Sequence, residues 1–226
     1  MKPFDARICL ALARLLAYPG DELRASLAPL RDCIAHSRAL GDDGRDGLLA
    51  LVDGMRQRDP YELEAGYVDT FDRGRATALH LFEHVHGDSR ERGQALVDLL
   101  RMYEAAGLAL GPGELPDYLP VVLEFAATQP APTARAFLAE MAHILNAVHA
   151  ALAQRHSPYR AAIAAVLELA GERVEPVRLP PEEPLDEAWA EPPAFDGCAT
   201  RGQDKPGAPQ PIHFVRRDGP ATGARS

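Results

Sequence analysis

FDRGRATALHLFEHVHGDSRERGQALVDLL, residues 71–100, carries two runs of apolar residues at helical spacing, separated by one Gly-Asp break. Gly87 can take the left-handed conformation that ends one helix, Asp88 can cap the next, and Glu91 stands three residues on, as in a capping box. The segment therefore predicts helix, sharp turn, helix. Leu96, Leu99, Leu100 and Tyr103 would bury one side of the second helix and leave Arg90, Arg92, Asp98 and Arg101 outside it. Gly93 lies inside that helix, where glycine costs ~1 kcal/mol relative to alanine, so it predicts close approach of another backbone.

The same period runs outward in both directions. Asp5 caps a first helix with Ile8, Leu12, Leu15 and Leu16 on one face, stopped by Pro19-Gly20. Asp21 opens a second with Leu23, Leu27, Leu30 and Ile34, in which Pro29 should produce a kink or an early end. GDDGRDG (41–47) reads as a loop, and Leu48, Leu51, Val52 and Met55 restore the period. Asp59-Pro60 opens a helix burying Leu63, Tyr67, Val68 and Phe71, with Glu62, Asp69 and Asp72 on its other side. Beyond a Gly/Pro loop at 107–116, Leu119, Val122, Leu123 and Ala126 form a helix with Pro120 in its first turn. Phe137, Met141, Ile144, Leu145, Val148 and Leu152 then make one long stripe after the QPAPT loop. Ser157-Pro158 starts a last helix that Gly171 ends.

Strand-like Val/Ile/Thr runs are almost absent, and with 46% hydrophobic but only 6% aromatic residues the chain reads as all-α. It is expected to form a single-domain helical bundle over residues 1–171, followed by a Pro-rich, largely irregular tail over 172–226. That tail holds 10 of the 20 prolines and little apolar periodicity, which denies it a core of its own. Its 185–197 segment contains Trp189 and could dock on the bundle.

A formal net charge of −9 argues against non-specific nucleic-acid binding and suits a basic partner. Cys9, Cys33 and Cys198 are far apart and odd in number, which predicts free thiols rather than a disulfide framework. No run reaches the ~20 apolar residues of a membrane span, and MKPFDARICLALARLLAYPG reads as a cytoplasmic helix and not a leader. His80, Glu83, His84 and His86 are the residue types of a zinc site, but the glutamate precedes the second histidine instead of following the first, and no distant third ligand is evident. Gly111-Pro112-Gly113 lacks the Lys-Ser/Thr partner of a phosphate loop, and no nucleophile elbow is present.

YVDTFDRGRATALHLFEHVHGDSRERGQALVDLL (67–100), GELPDYLPVVLEF (113–125) and LDEAWAEPPAFDG (185–197), in that order, resemble the respiratory nitrate reductase molybdenum-cofactor assembly chaperones of the NarJ type. These belong to a wider redox-enzyme maturation family that includes the TorD and DmsD proteins. The resemblance implies a non-enzymatic cytoplasmic chaperone of anaerobic nitrate respiration with no tightly bound cofactor. Its implied partner is the N-terminus of the reductase catalytic (alpha) subunit, within the apo alpha-beta complex. The chaperone would keep that client competent to receive bis-molybdopterin guanine dinucleotide, meet cofactor biosynthesis proteins, delay membrane docking, and leave the finished enzyme.

Within the resemblance, Glu114-Leu115-Pro116-Asp117-Tyr118 aligns with a Glu-Pro-Asp-His-like signature at the peptide site, with Tyr118 where histidine is common. The client site expected from it comprises Phe71, Asp72, Leu81, Phe82, His84, His86, Arg90, Arg92, Gly93, Glu114, Asp117 and Tyr118, with Gly87, Asp88 and Glu91 as its structural turn. An amphipathic basic peptide would lay its apolar side in a groove and meet acidic residues at the rim. Two rival readings stand beside this one: a chaperone for a different molybdoenzyme, and a small metal-dependent hydrolase built on His80, His84 and His86.

Overall fold

The computed structural model describes residues 2–87 and 89–179. Ten α-helices fill this range: α1 (Ala6–Leu16), α2 (Asp21–Ala35), α3 (Asp42–Gln57), α4 (Pro60–Phe71), α5 (Leu81–His86), α6 (Arg90–Ala105), α7 (Leu119–Thr128), α8 (Ala131–Glu140), α9 (Ala142–Gln154) and α10 (Arg160–Ala170), with a 3-10 turn at Arg75–Thr77. No strand occurs among the described residues; the fold is all-α. The 185–197 segment and its Trp189 lie outside the described residues.

The sequence places the core where its apolar stripes demand. Ile8, Leu12, Leu15 and Leu16 of α1 are fully buried, and α1 packs on α7, α2 and α10. Helix α10, with Ile163, Val166 and Leu167 inward, also packs on α9, α3 and α8, so these two short helices are the axis of the bundle. Each such side chain contributes roughly 1.5–3 kcal/mol by leaving water. Cys9 donates its thiol to the Leu123 carbonyl at 3.2 Å and joins α1 to α7; burial pushes its pKa up to about 12, so it remains an inert neutral thiol. Asp5 caps α1 through the Arg7 amide at 3.0 Å, Asp59 caps α4 through the Tyr61 amide, and Gly171 closes α10 at φ 86°. No single helix among the described residues is long and apolar enough to cross a membrane.

Five expectations are corrected. Residues 41–47 are not a loop: Gly41 is the N-cap and α3 begins at Asp42. Its glycines serve packing, since a Cβ at Gly44 would stand 2.7 Å from Glu168 Oε2 and one at Gly47 3.1 Å from the Ala161 Cβ. Glu168 in turn accepts from the Gly41 amide at 2.8 Å and thereby caps α3 from α10. Pro29 does not shorten α2, which continues to Ala35, because the proline faces solvent, where water can take up the carbonyl it leaves unbonded.

The stripe from Phe137 to Leu152 spans two helices meeting at 62° around Met141, and the predicted QPAPT loop is reduced to Gln129-Pro130, since α8 begins at Ala131 with a proline in its first turn. The apolar period passes through the break unchanged, which is why the sequence hides it. Ser157 does not cap α10: a turn at Pro158-Tyr159 intervenes and its buried Oγ has no hydrogen-bond partner within the described residues.

The two glycine environments of α3 separate in a urea melt. Gly47→Leu is expected to lose about 1–3 kcal/mol through overpacking against α10. Gly54→Ala, where an added Cβ meets nothing within 4 Å, is expected to gain up to ~1 kcal/mol from helix propensity.

Candidate functional site

The site grows from a problem at the start of α5. This helix has only six residues, and His80 at its N-cap makes no side-chain cap bond, so its first amides need partners from elsewhere. They find them in Asp117. The Leu81 amide donates to the Asp117 carbonyl at 3.0 Å and the Phe82 amide to Asp117 Oδ2 at 3.1 Å. The Leu119 amide answers with a bond to the Leu79 carbonyl at 2.9 Å, closing an isolated antiparallel bridge between His80 and Tyr118. Tyr103 of α6 fixes the same loop by donating to the Pro116 carbonyl at 2.8 Å. Positive-φ glycines at 107 and 113 turn the loop back over α5, and Glu114 accepts from the Gly111 amide at 3.0 Å.

Asp117 is completely buried, so it does not stand at a solvent rim as the sequence reading had it. The peptide amides it must satisfy lie beneath the surface and draw its carboxylate inward. Its charge is met by Arg92, whose Nη2 lies 3.9 Å from Oδ2 and bonds Glu83 Oε1 at 2.9 Å. Arg92 therefore points inward from α6, contrary to its expected exposed position. His80 Nδ1 faces Asp117 Oδ1 at 3.5 Å. Arg75 donates to the Glu83 carbonyl, through Nη2 at 2.6 Å and Nε at 3.2 Å, and so ties the 3-10 turn to the end of α5. His84 Nε2 donates to the Ala78 carbonyl at 2.9 Å, and burial pushes that imidazole below its ordinary pKa, keeping it neutral.

Above this buried layer lies an aromatic strip. Tyr67 donates to the Leu16 carbonyl at 2.8 Å, and Tyr118 donates to the Tyr67 hydroxyl at 3.0 Å. The Tyr118 ring stacks on His80 at 5.1 Å, and Tyr18 meets Tyr67 edge to face at 5.7 Å. Tyr18 and Leu115 are 52% and 40% exposed, which leaves apolar surface open to a partner. Tyr18 donates to Glu64 at 3.1 Å, and that bond, joined by burial and the charges of Glu64 and Asp72, raises its pKa. Burial raises Tyr118, and Asp72 and Glu114 push it further. None of Glu64, Asp72 and Glu114 forms an ion pair with a described cation.

Of the expected site residues, Asp72, Glu114 and Tyr118 come together on this strip. Phe82, His84, His86 and Arg92 gather around α5 below it, with the Phe82 ring edge-on to His86 at 5.9 Å. Leu81 and Phe71 are core residues, 0% and 4% exposed, held there by the apolar faces of α5 and α4. Gly93 is exposed with nothing within 4 Å of an added Cβ, so no described backbone approaches it. Arg90 is the first residue of α6. Gly87 takes φ 54° but ψ −132°, a positive-φ conformation outside the left-handed helical region; Asp88 lies outside the described residues, Ser89 and not Asp88 is the N-cap of α6 and makes no side-chain cap bond, and Glu91 stands 3.9 Å from His86 Nδ1.

Tyr18, Glu64, Tyr67 and His80 were missed as members of this site. Tyr18 directly before Pro19-Gly20 was the available clue, an aromatic left just beyond the end of a helix. The three histidines turn to three different partners, and among the described residues no group of His, Cys, Asp or Glu could hold a metal.

Comparison with known proteins decides the lineage. A family described as "nitrate reductase delta subunit" matches residues 21–165. The chain belongs to the nitrate reductase delta subunit family. Within it, the chain is 42% identical over 164 residues to the nitrate reductase molybdenum cofactor assembly chaperone NarJ of Escherichia coli, covering 73% of this chain and 70% of that one. It is 40% identical over 165 residues to the probable assembly chaperone NarW of the same organism, covering 73% and 68%. The nitrate reductase-like protein NarX of Mycobacterium tuberculosis is 37% identical over 153 residues, 67% of this chain but 22% of that protein. The resemblance to NarJ-type chaperones drawn from the sequence motifs holds.

Removing the Asp117 side chain strands the Phe82 amide and leaves Arg92 to Glu83 alone, so Asp117→Ala should cost about 1–3 kcal/mol in a urea melt and speed hydrogen exchange at Phe82. Asp117→Asn, which keeps an acceptor for that amide, should cost less. A pH series tests the neutral imidazoles. His84 and His149 both titrate below the ordinary 6.5 in the fold because of burial, so the unfolded chain binds more protons below that pH. Stability should be fully present above about pH 6.5 and fall as the pH drops through the folded values, with a shallower fall in His84→Gln.

Proposed function

We propose that this protein is a nitrate reductase molybdenum cofactor assembly chaperone. It binds the N-terminal segment of the apo catalytic subunit and keeps that subunit open to bis-molybdopterin guanine dinucleotide before membrane docking. The observation that carries the reading is the strip of Tyr18, Tyr118 and His80 edged by Glu64, Asp72 and Glu114, three carboxylates without cationic partners among the described residues. The names of the family's relatives supply the identity of the client.

The chemistry is recognition, not turnover. A basic amphipathic helix would set its apolar side against the tyrosine rings and Leu115 and its cations beside the carboxylates. Apolar anchors supply most of the affinity, since a buried leucine contributes roughly 1.5–3 kcal/mol and an exposed ion pair only ~0–1. The charges set orientation and on-rate. The buried layer beneath, with Asp117, Arg92 and Glu83, holds the strip in shape so that little is spent on ordering it when the client arrives. The cofactor itself goes to the client, and the residues of this chain act only by holding that client.

Two measurements test the reading. A deletion strain should make a catalytic subunit that lacks molybdenum and does not reduce nitrate; normal molybdenum content there would end it. In calorimetric titration with the first fifteen residues of the catalytic subunit, the triple variant Glu64→Gln, Asp72→Asn, Glu114→Gln should bind about tenfold more weakly and with a flatter salt dependence. Tyr18→Ala should weaken binding at least as much, and each variant should melt like the parent.

A further inference from the structure

A second concavity lies apart from the acidic strip. Between α3, α4 and the turn entering α10, a cleft of about 190 Å³ is lined by Leu51, Gly54, Met55, Leu63 and Tyr159, with Arg58 among its lining. The walls are apolar and Arg58 is the one charged residue lining it. It forms no ion pair among the described residues, although its charge is felt at Tyr159. Gly54 leaves the α3 wall open, since a Cβ added there meets nothing within 4 Å. The side chains of Leu51, Met55, Leu63 and Tyr159 are all nearly buried, and the Tyr159 hydroxyl lacks a hydrogen-bond partner among the described residues, its ring being held chiefly by Phe71 at 4.8 Å.

Size and charge together select the occupant. Sites that enclose a free small molecule run to roughly 300–1,000 Å³, whereas this cleft matches one large side chain inserted from a partner. Aromatic wall, thioether and guanidinium all favour a flat ring: Met55 offers sulfur–aromatic contact and Arg58 can lie over a ring face or meet a carboxylate. We propose that the cleft receives an aromatic side chain of a partner polypeptide, flanked in that polypeptide by carboxylates that pair with Arg58. The charge preference is opposite to that of the tyrosine strip, so the two sites accept different segments. The inference stands independently of the client assignment made above.

The full chain, labelled at its methionine methyl groups, is titrated with the capped tripeptide acetyl-Glu-Phe-Glu-amide and observed by NMR at Met55. A saturable shift is expected with the acidic tripeptide and not with acetyl-Lys-Phe-Lys-amide. Arg58→Gln should weaken binding about three- to fivefold, the scale of one exposed ion pair. Gly54→Leu, or Ala50→Leu should the first variant not fold, should fill the cleft and abolish the shift while the melting temperature stays at or above that of the parent. An unmoved Met55 signal, equal binding of the lysine tripeptide, or an Arg58→Gln variant that binds like the parent would overturn the proposal. Saturation by free 3-phenylpropionate with no response to either peptide would overturn the polypeptide assignment.

Discussion

One buried carboxylate holds the region from α5 to α7 of this molecule together. Asp117 offers its carbonyl and its side chain to the first two amides of α5, a helix too short to stand without outside help, and does so from a loop 35 residues away in sequence. Burying a charge is costly unless it is paired and hydrogen-bonded. Asp117 meets that condition at Oδ2 through the Phe82 amide, with Arg92 bringing positive charge from α6, while Oδ1 faces His80 at 3.5 Å without a hydrogen bond among the described residues. The His80–Tyr118 bridge, the stacking of those two rings and the position of the tyrosine strip all follow from where this residue is fixed.

The division of labour across the fold follows the same logic. Helices α1 and α10 bury nearly everything they carry toward the interior and form a rigid axis. Helices α5 and α6 pack on each other and join the rest through Leu81, Leu99 and Tyr103 in the core and through polar bonds around Asp117, Glu83 and Arg75. Recognition surfaces are commonly placed where local stability is lowest, because adaptability is needed there. A helix pair that adds such polar bonds to a few buried apolar side chains, Leu81, Leu99 and Tyr103, meets that need while keeping a defined resting shape.

Much of the fold was legible. Apolar period located the core faces of α1, α4, α7 and α10, because burial is what creates that period. The errors fall where a local pattern has two physical causes. The glycines at 41–47 look like loop residues, yet they are small because Glu168 and Ala161 press against α3. Met141 continues a stripe across a bend that changes direction without changing which side is buried. The site was legible only in part. Asp72, Glu114 and Tyr118 came from family likeness, whereas Tyr18 and Glu64 belong to the same surface through a contact between residues 46 apart in sequence, for which no local spacing gives a sign. Asp117 was recognised as important but placed on the wrong side of the surface, since an acidic residue is as natural a cap as a rim charge.

The remote cap of α5 also orders events during synthesis. Residues 81–86 leave the ribosome well before residue 117, and a six-residue helix with uncapped amides does not persist alone. The segment gains its shape only once the loop and α7 have been made and have closed onto α1. The strip proposed to meet the client is thus a property of the completed domain, and a half-made chain carries the right residues without the surface they form.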